Sequence, residues 1–183
     1  MNRKTVKPIT AKYLENAATF YLERYPSTAE GLRRVLNRRV RKAEMAEAPI
    51  VVDVQKVIDA IVAKFVRAGA IDDQAFAQTK ARALHRRGTS GRLTRQRLKL
   101  AGIDDETLDK AMAGLDQELD TDPEQREWQA AVALARRRRL GPFRDKDRKE
   151  HRNRDLATMA RAGFAYDLAR KVIDAADRDI IAS

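Results

Sequence analysis

Three stretches of this chain are variants of one another. "SGRLTRQRLKLAGI" runs from Ser90 to Ile103, "STAEGLRRVLNRRV" from Ser27 to Val40, and "RNRDLATMARAGF" from Arg152 to Phe164. Aligned on Leu36, Leu98 and Met159, they recur at intervals of 62 and 61 residues. Each is a helix-length segment with Arg or Lys on its polar positions. Two of them stop at a Gly followed by one apolar residue, Gly102-Ile103 and Gly163-Phe164. A unit that repeats at this period hides its apolar face against its neighbours, so the chain must fold as stacked copies of one small motif. None of the copies carries a nucleophile, which points to a binding surface.

Pro, Gly and capping residues cut the rest into pieces of helix length. Thr10 to Tyr25 carries Tyr13, Leu14, Ala17, Phe20, Tyr21 and Leu22 at helical spacing, and Pro26 ends it. Ser27 and Glu30 form a capping box for the next helix, which reaches about Lys42. "AEMAEAPIVV" reads as a connector, and Asp53 caps a third helix that stops at Gly69. Asp72 and Asp73 open a fourth helix ending at Gly88, the repeated segment supplies a fifth, and Asp104 caps a sixth. Asp122-Pro123 opens a seventh that runs into Arg136–Arg139. An eighth covers about Arg148 to Ala162, and a ninth runs from Tyr166 to about Asp177. Only "PIVVDV" looks strand-like. The fold class expected is all-α: three tandem three-helix, helix-turn-helix-like repeats in an elongated curved array. The repeats fall at 10–70, 71–121 and 122–178, with terminal tails at 1–9 and 179–183.

Composition narrows the function. The chain of 183 residues has a formal net charge of +11 and a pI near 10.2. Residues 53–103 hold 11 basic and 4 acidic groups, whereas residues 104–122 hold 1 and 8. Polyanions, nucleic acid above all, are the default partners of such a field; an acidic protein, or a nucleoprotein displaying both, is the competing choice. The absence of Cys removes disulfides, thiolate metal sites and Cys nucleophiles. No apolar stretch approaches the roughly 18 residues of a membrane span, and the basic N-terminus lacks the apolar segment of a secretory signal. A cytoplasmic location is expected.

Four motifs then occur in order: "YLERYPSTAEGLRRVL", "GAIDDQAFA" at Gly69 to Ala77, "RRGTSGRLTRQRLKLAGI" at Arg86 to Ile103, and "MARAGFAYDLARKVI" at Met159 to Ile173. Together they resemble the RecX family of bacterial recombinase regulators over about Thr10 to Ala175. The chain departs from the family pattern at Val40-Arg41, where a glycine is usual, and at Thr89, where an aromatic is common. The resemblance implies three three-helix repeats and no enzymatic activity. It also implies binding along the groove of the RecA filament on single-stranded DNA, which inhibits filament growth, ATPase, strand exchange and induction of the SOS response.

The candidate contact residues are the basic ones of the repeated helices. Arg33, Arg34 and Arg38 lie on the first, and Arg92, Arg95, Arg97 and Lys99 on the second, with Arg86 and Arg87 just upstream. Guanidinium groups grip phosphates or carboxylates bidentately, and a row of them tracks a backbone. Arg136 and Arg137 join the set from the run of four, of which at most two can face one partner. Asp72, Asp73, Asp104, Asp105 and Glu106 read as helix starts rather than metal ligands. His85 and His151 lack the partners of a catalytic base, and Phe164, Trp128, Phe65 and Phe76 read as core. Tyr166, beside Phe164, is placed with it. No nucleotide-hydrolysing "GxxxxGK[ST]" occurs. The expectation is a monomeric, non-enzymatic protein without cofactor or metal that binds the RecA filament; the alternative is a stand-alone DNA binder using one basic repeat.

Overall fold

The computed structural model describes residues 8–176, which fold into α-helices and connecting turns. Residues 1–7 of the expected N-terminal tail, residues 177 and 178 at the end of the expected third repeat, and the tail at 179–183 lie outside the described residues. The helices are α1 (Ala11–Leu22), α2 (Ala29–Glu44), α3 (Val54–Arg67), α4 (Asp73–Arg86), α5 (Gly91–Ala101), α6 (Asp105–Glu118), α7 (Pro123–Arg138), α8 (Arg148–Arg161) and α9 (Tyr166–Asp174). A single 3-10 turn, Gly141–Phe143, joins α7 to α8. The described chain packs as two units, residues 8–76 with 101–103, and residues 77–100 with 104–176.

In the first unit the apolar positions of three helices meet. Leu14, Ala17 and Ala18 of α1, Leu32, Leu36 and Val40 of α2, and Ile58, Ile61 and Val62 of α3 form one buried cluster with Ile9 and Ile71. Those residues recur three or four apart along each helix, so each helix turns one apolar stripe inward. "PIVVDV" contributes no strand: Ile50 makes an isolated parallel bridge to Ile9, whose side chain is buried.

The cap of α2 differs from expectation. Thr28, not Ser27, is the N-cap, and its Oγ1 accepts from the Gly31 amide at 2.8 Å. The same hydroxyl donates to the Ala101 carbonyl at 2.5 Å, which ties the end of α5 to the start of α2. Thr28 wins the role because it is buried and its hydroxyl serves two partners, whereas Ser27 donates only to the Thr28 carbonyl. Glu30 pairs with Arg34. A second tie comes from Asp73, whose carboxylate accepts from the Ala29 amide at 2.9 Å while Asp72 caps α4. Asp53, Asp104 and Asp122 cap α3, α6 and α7 as expected.

The second unit is centred on α7, α8 and α9. Ala130, Ala131, Leu134 and Ala135 of α7 pack with Leu156, Met159, Phe164, Val172 and Ile173. Trp128 and Phe65 pack against the edges of their cores half-buried, and Phe76 is also half-buried. Phe164 is core, but Tyr166 is 63% exposed, so the two aromatics after Gly163 part company. Two α1 aromatics also point outward, Tyr13 and Phe20; Phe20 is 54% exposed, and the Arg24 guanidinium lies 3.6 Å from its ring centre. Asp155 is the buried anchor of the 3-10 turn. Its carboxylate accepts from the Gly141 amide at 2.9 Å and from Arg144 at 2.8 Å. The hydrogen bonds to Asp155 hold the Arg144 guanidinium firmly in its charged form, its pKa raised further.

A candidate anion-binding concavity

Eleven basic residues were expected to form the contact surface, and the structure divides them. Four are held by carboxylates: Arg33 by Asp59 at 3.1 Å, Arg34 by Glu30 at 3.0 Å, Arg95 by Asp109 at 2.5 Å, and Lys99 by Asp105 at 2.6 Å. Hydrogen bonds from Gln55 and from Arg33 hold the Asp59 carboxyl below the usual carboxylate range. The acidic stretch that begins at Asp104 thus folds back onto one side of α5, with Asp105 on Lys99 and Asp109 on Arg95. Helix geometry explains the choice. At about 100° per residue, positions 92, 95 and 99 share one side of α5, while 93 and 97 share another.

Arg97 therefore escapes α6. With Leu93 it lines a concavity of about 340 Å³ in the second unit, together with Arg87, Arg137, Arg138 and Arg161. Gly88, Thr89, Leu134, Thr158 and Ala162 complete the lining, which includes no carboxylate. Among the described residues, none of these five arginines pairs with an acidic side chain. Arg161 is tethered by Thr158, whose hydroxyl accepts from the guanidinium at 3.1 Å and donates to the Arg154 carbonyl at 2.9 Å.

The walls are close-packed. Gly88, with φ +69°, ends α4 against α7, and a Cβ there would lie 2.5 Å from the Leu134 nitrogen and 2.7 Å from the Ala130 oxygen. The Thr89 amide donates to the Leu84 carbonyl at 3.0 Å and closes the α4 terminus. Ser90 then starts α5: its amide donates to the Ala162 carbonyl and its Oγ accepts from the Leu93 amide. Glu127 of α7 completes the start by accepting from the Gly91 amide at 2.7 Å. The concavity is thus framed by the ends of α4, α7 and α8 and by the side of α5. Each helix C-terminus brings about half a negative charge. Three such ends offset only part of five guanidinium charges, so the interior stays strongly positive.

The other expected residues lie elsewhere. Arg92 and Arg95 line a separate shallow groove with Lys171, but Glu124 and Glu127 line it too. Arg136 lies 5.7 Å from the centre of the Phe143 ring. Arg38 and Arg86 are exposed. His85 is half-buried near the end of α4, where burial, aided by the Arg126 charge, lowers its pKa below the usual 6.5. His151 is half-buried on α8. Among the described residues no three acidic or histidine side chains gather as a metal ion would require. No described helix is long and apolar enough to cross a membrane.

Residues 72–112, from the start of α4 into α6, match the family description "RecX, second three-helix domain". The regulatory protein RecX of Myxococcus xanthus is 41% identical over 173 residues, which cover 93% of this chain and 89% of that protein. The chain belongs to the RecX family. The regulatory protein RecX of Agrobacterium fabrum is 28% identical over 162 residues, covering 88% of this chain and 82% of that protein. The fold agrees with the crystal structure of RecX from Lactobacillus salivarius, with a TM-score of 0.60 at 20% identity over 93% of this chain and 97% of that one. It is a helical repeat protein, and membership in RecX makes it a regulatory protein of that type.

Arg138 and Arg161 were missed by sequence reasoning. Arg161 stands two residues before Gly163, where a cation at a helix end has an ordinary structural use. Only the meeting of α7 and α8 turns it toward Arg97, and no local pattern announces that. The division within α5 was available from its helical periodicity alone.

Proposed function

We propose that this RecX-family chain acts as a monomer that binds the RecA filament on single-stranded DNA and restrains it, without catalysing a reaction. The bound chain slows filament growth and lowers RecA's ATP turnover, strand exchange and SOS-inducing activity. Its helices are read as three triplets, 10–70, 71–121 and 122–178. The observation that supports a binding role most directly is the concavity lined by five arginines and no carboxylate. All five guanidinium groups are exposed and face no carboxylate in the hollow, so they repel one another and remain available to an external anion. Arg87, Arg97 and Arg137 carry the contact, with Arg38, Arg86, Arg92 and Arg136 beside them; Arg33, Arg34, Arg95 and Lys99 must first exchange their carboxylates.

The test is RecA's single-strand-dependent ATPase with substoichiometric amounts of this protein. The chain should lower turnover, and the triple variant Arg87→Ala, Arg97→Ala, Arg137→Ala should need at least tenfold more protein for the same effect. A double Arg33→Ala, Arg34→Ala variant should lose much less. Unchanged turnover at every ratio would reject the reading. Tight binding to naked DNA, with a salt slope of about 0.9 per phosphate contact, would favour the stand-alone DNA binder instead.

A further inference from the structure

The five arginines of the concavity do not form a track. Arg87 follows α4, Arg97 is on α5, Arg137 and Arg138 are in the last turn of α7, and Arg161 is the last residue of α8. Cations brought from four segments onto one hollow suit a compact ligand with several charges, not a long polymer passing by. A nucleic-acid strand supplies one negative charge per nucleotide, spread along its length. A chain of consecutive phosphates brings one or more charges per phosphorus within a few ångströms, and about −1.5 to −2 on a terminal group. Each of its oxygens can accept from a guanidinium fork.

The lining also says what is not recognised. It offers no aromatic side chain to stack on a base, and no carboxylate or carboxamide to read a base edge. Its neutral members are Gly88, Thr89, Leu93, Leu134, Thr158 and Ala162. Thr89 is buried, and the Thr158 hydroxyl is already engaged by Arg154 and Arg161. Recognition rests on guanidinium groups alone.

We infer that this concavity is a binding site for an oligophosphate, recognised through its phosphate chain whether it is free or is the tail of a nucleoside triphosphate. The binding itself stands apart from the filament reading. Its consequence rests on that reading: Arg87, Arg97 and Arg137 are the residues proposed to grip the filament, so an occupied concavity cannot do so. An oligophosphate then acts as a competitive release signal.

The binding experiment uses the full chain, with neither RecA nor DNA, titrated calorimetrically with sodium tripolyphosphate at constant ionic strength. One saturable site is expected. Arg97→Ala with Arg137→Ala should weaken it at least thirtyfold, and the Lys pair should recover part of the loss. Lys149→Ala with Arg154→Ala removes the same charge from exposed α8 positions and should change the affinity less than threefold. ATP and GTP should bind within about threefold of tripolyphosphate, and AMP at least tenfold more weakly. The helical circular dichroism of each variant should match that of the parent. No saturable binding would overturn the inference. So would an equal loss in the two double variants, which would indicate diffuse charge attraction. ATP tighter than tripolyphosphate by more than tenfold would overturn recognition by phosphates alone, and a single-stranded oligonucleotide that tripolyphosphate cannot displace would overturn the site. Because RecA is absent, failure here leaves the filament reading to its own ATPase assay. In that assay, with ATP held well below its dissociation constant for the concavity and magnesium kept in excess of all phosphate, tripolyphosphate at saturation should relieve inhibition by the parent chain; persistent inhibition would sink the release signal while leaving both binding claims standing.

Discussion

Gly88 rests on the main chain of Leu134, with no room between them for even a methyl group. This one contact sets the end of α4 against α7 and gives Arg87 the same hollow as Arg137 and Arg138. Gly88→Ala meets both a backbone neighbour and a left-handed φ of +69°. It should cost about 1–3 kcal/mol in urea unfolding, and tripolyphosphate affinity should fall with it. A fully stable Gly88→Ala protein would show that α4 and α7 are not packed this closely.

Thr28 joins the start of α2 to the end of α5 through one hydroxyl. Thr28→Val keeps the shape but strips the cap from Gly31 and leaves the Ala101 carbonyl without this donor. A loss of about 1–2 kcal/mol is expected from chemical denaturation. Ser27→Ala should cost a few tenths of that, the reverse of what a Ser27 capping box requires.

Leu98 has no exposed surface, whereas Phe76 on α4 is half-buried. Leu98→Ala should therefore cost about 2–5 kcal/mol, and Phe76→Ala clearly less despite its larger side chain. Thermal melts of the two variants rank them directly.

Asp155 is 1% exposed and accepts from both Gly141 and Arg144. Asp155→Asn leaves Arg144 facing a neutral group, and a loss of about 3 kcal/mol is expected because the carboxylate was the buried partner. Fluorescence of Trp128, which packs on the same core, reports the unfolding.

His85 gives a pH signature. Burial, then the Arg126 charge, lowers its pKa in the folded state from the ordinary 6.5, while Asp116 pulls weakly the other way. The unfolded chain thus takes up the proton first as pH falls. The contribution to stability is complete above about 6.5 and is lost as pH falls through the lower folded value. Urea midpoints should drop between pH 7.5 and pH 5.5 in the parent and drop less in His85→Gln. Equal drops would place the titration elsewhere.

Much of the fold was written locally. Asp53, Asp104 and Asp122 announce helix starts, and Gly69, Gly88 and Gly163 announce ends, because capping needs only a side chain and its next few amides. The Ser27 and Thr28 exchange was not legible, since the deciding partner, Ala101, is 73 residues away. The basic character of the surface was legible, but not which cations remain free. That depended on Asp59 reaching Arg33 and on Asp105 and Asp109 reaching Lys99 and Arg95, all from other helices.

The run Arg136–Arg139 shows how little a string of identical letters means once it is folded. Arg137 and Arg138 look into the hollow, Arg136 sits near the Phe143 ring, and Arg139 turns left-handed at φ 52° to end α7. Two of the four serve any one ligand. Tallying basic residues along a sequence therefore overstates the grip of a surface, because net charge does not say which cations face the same hollow.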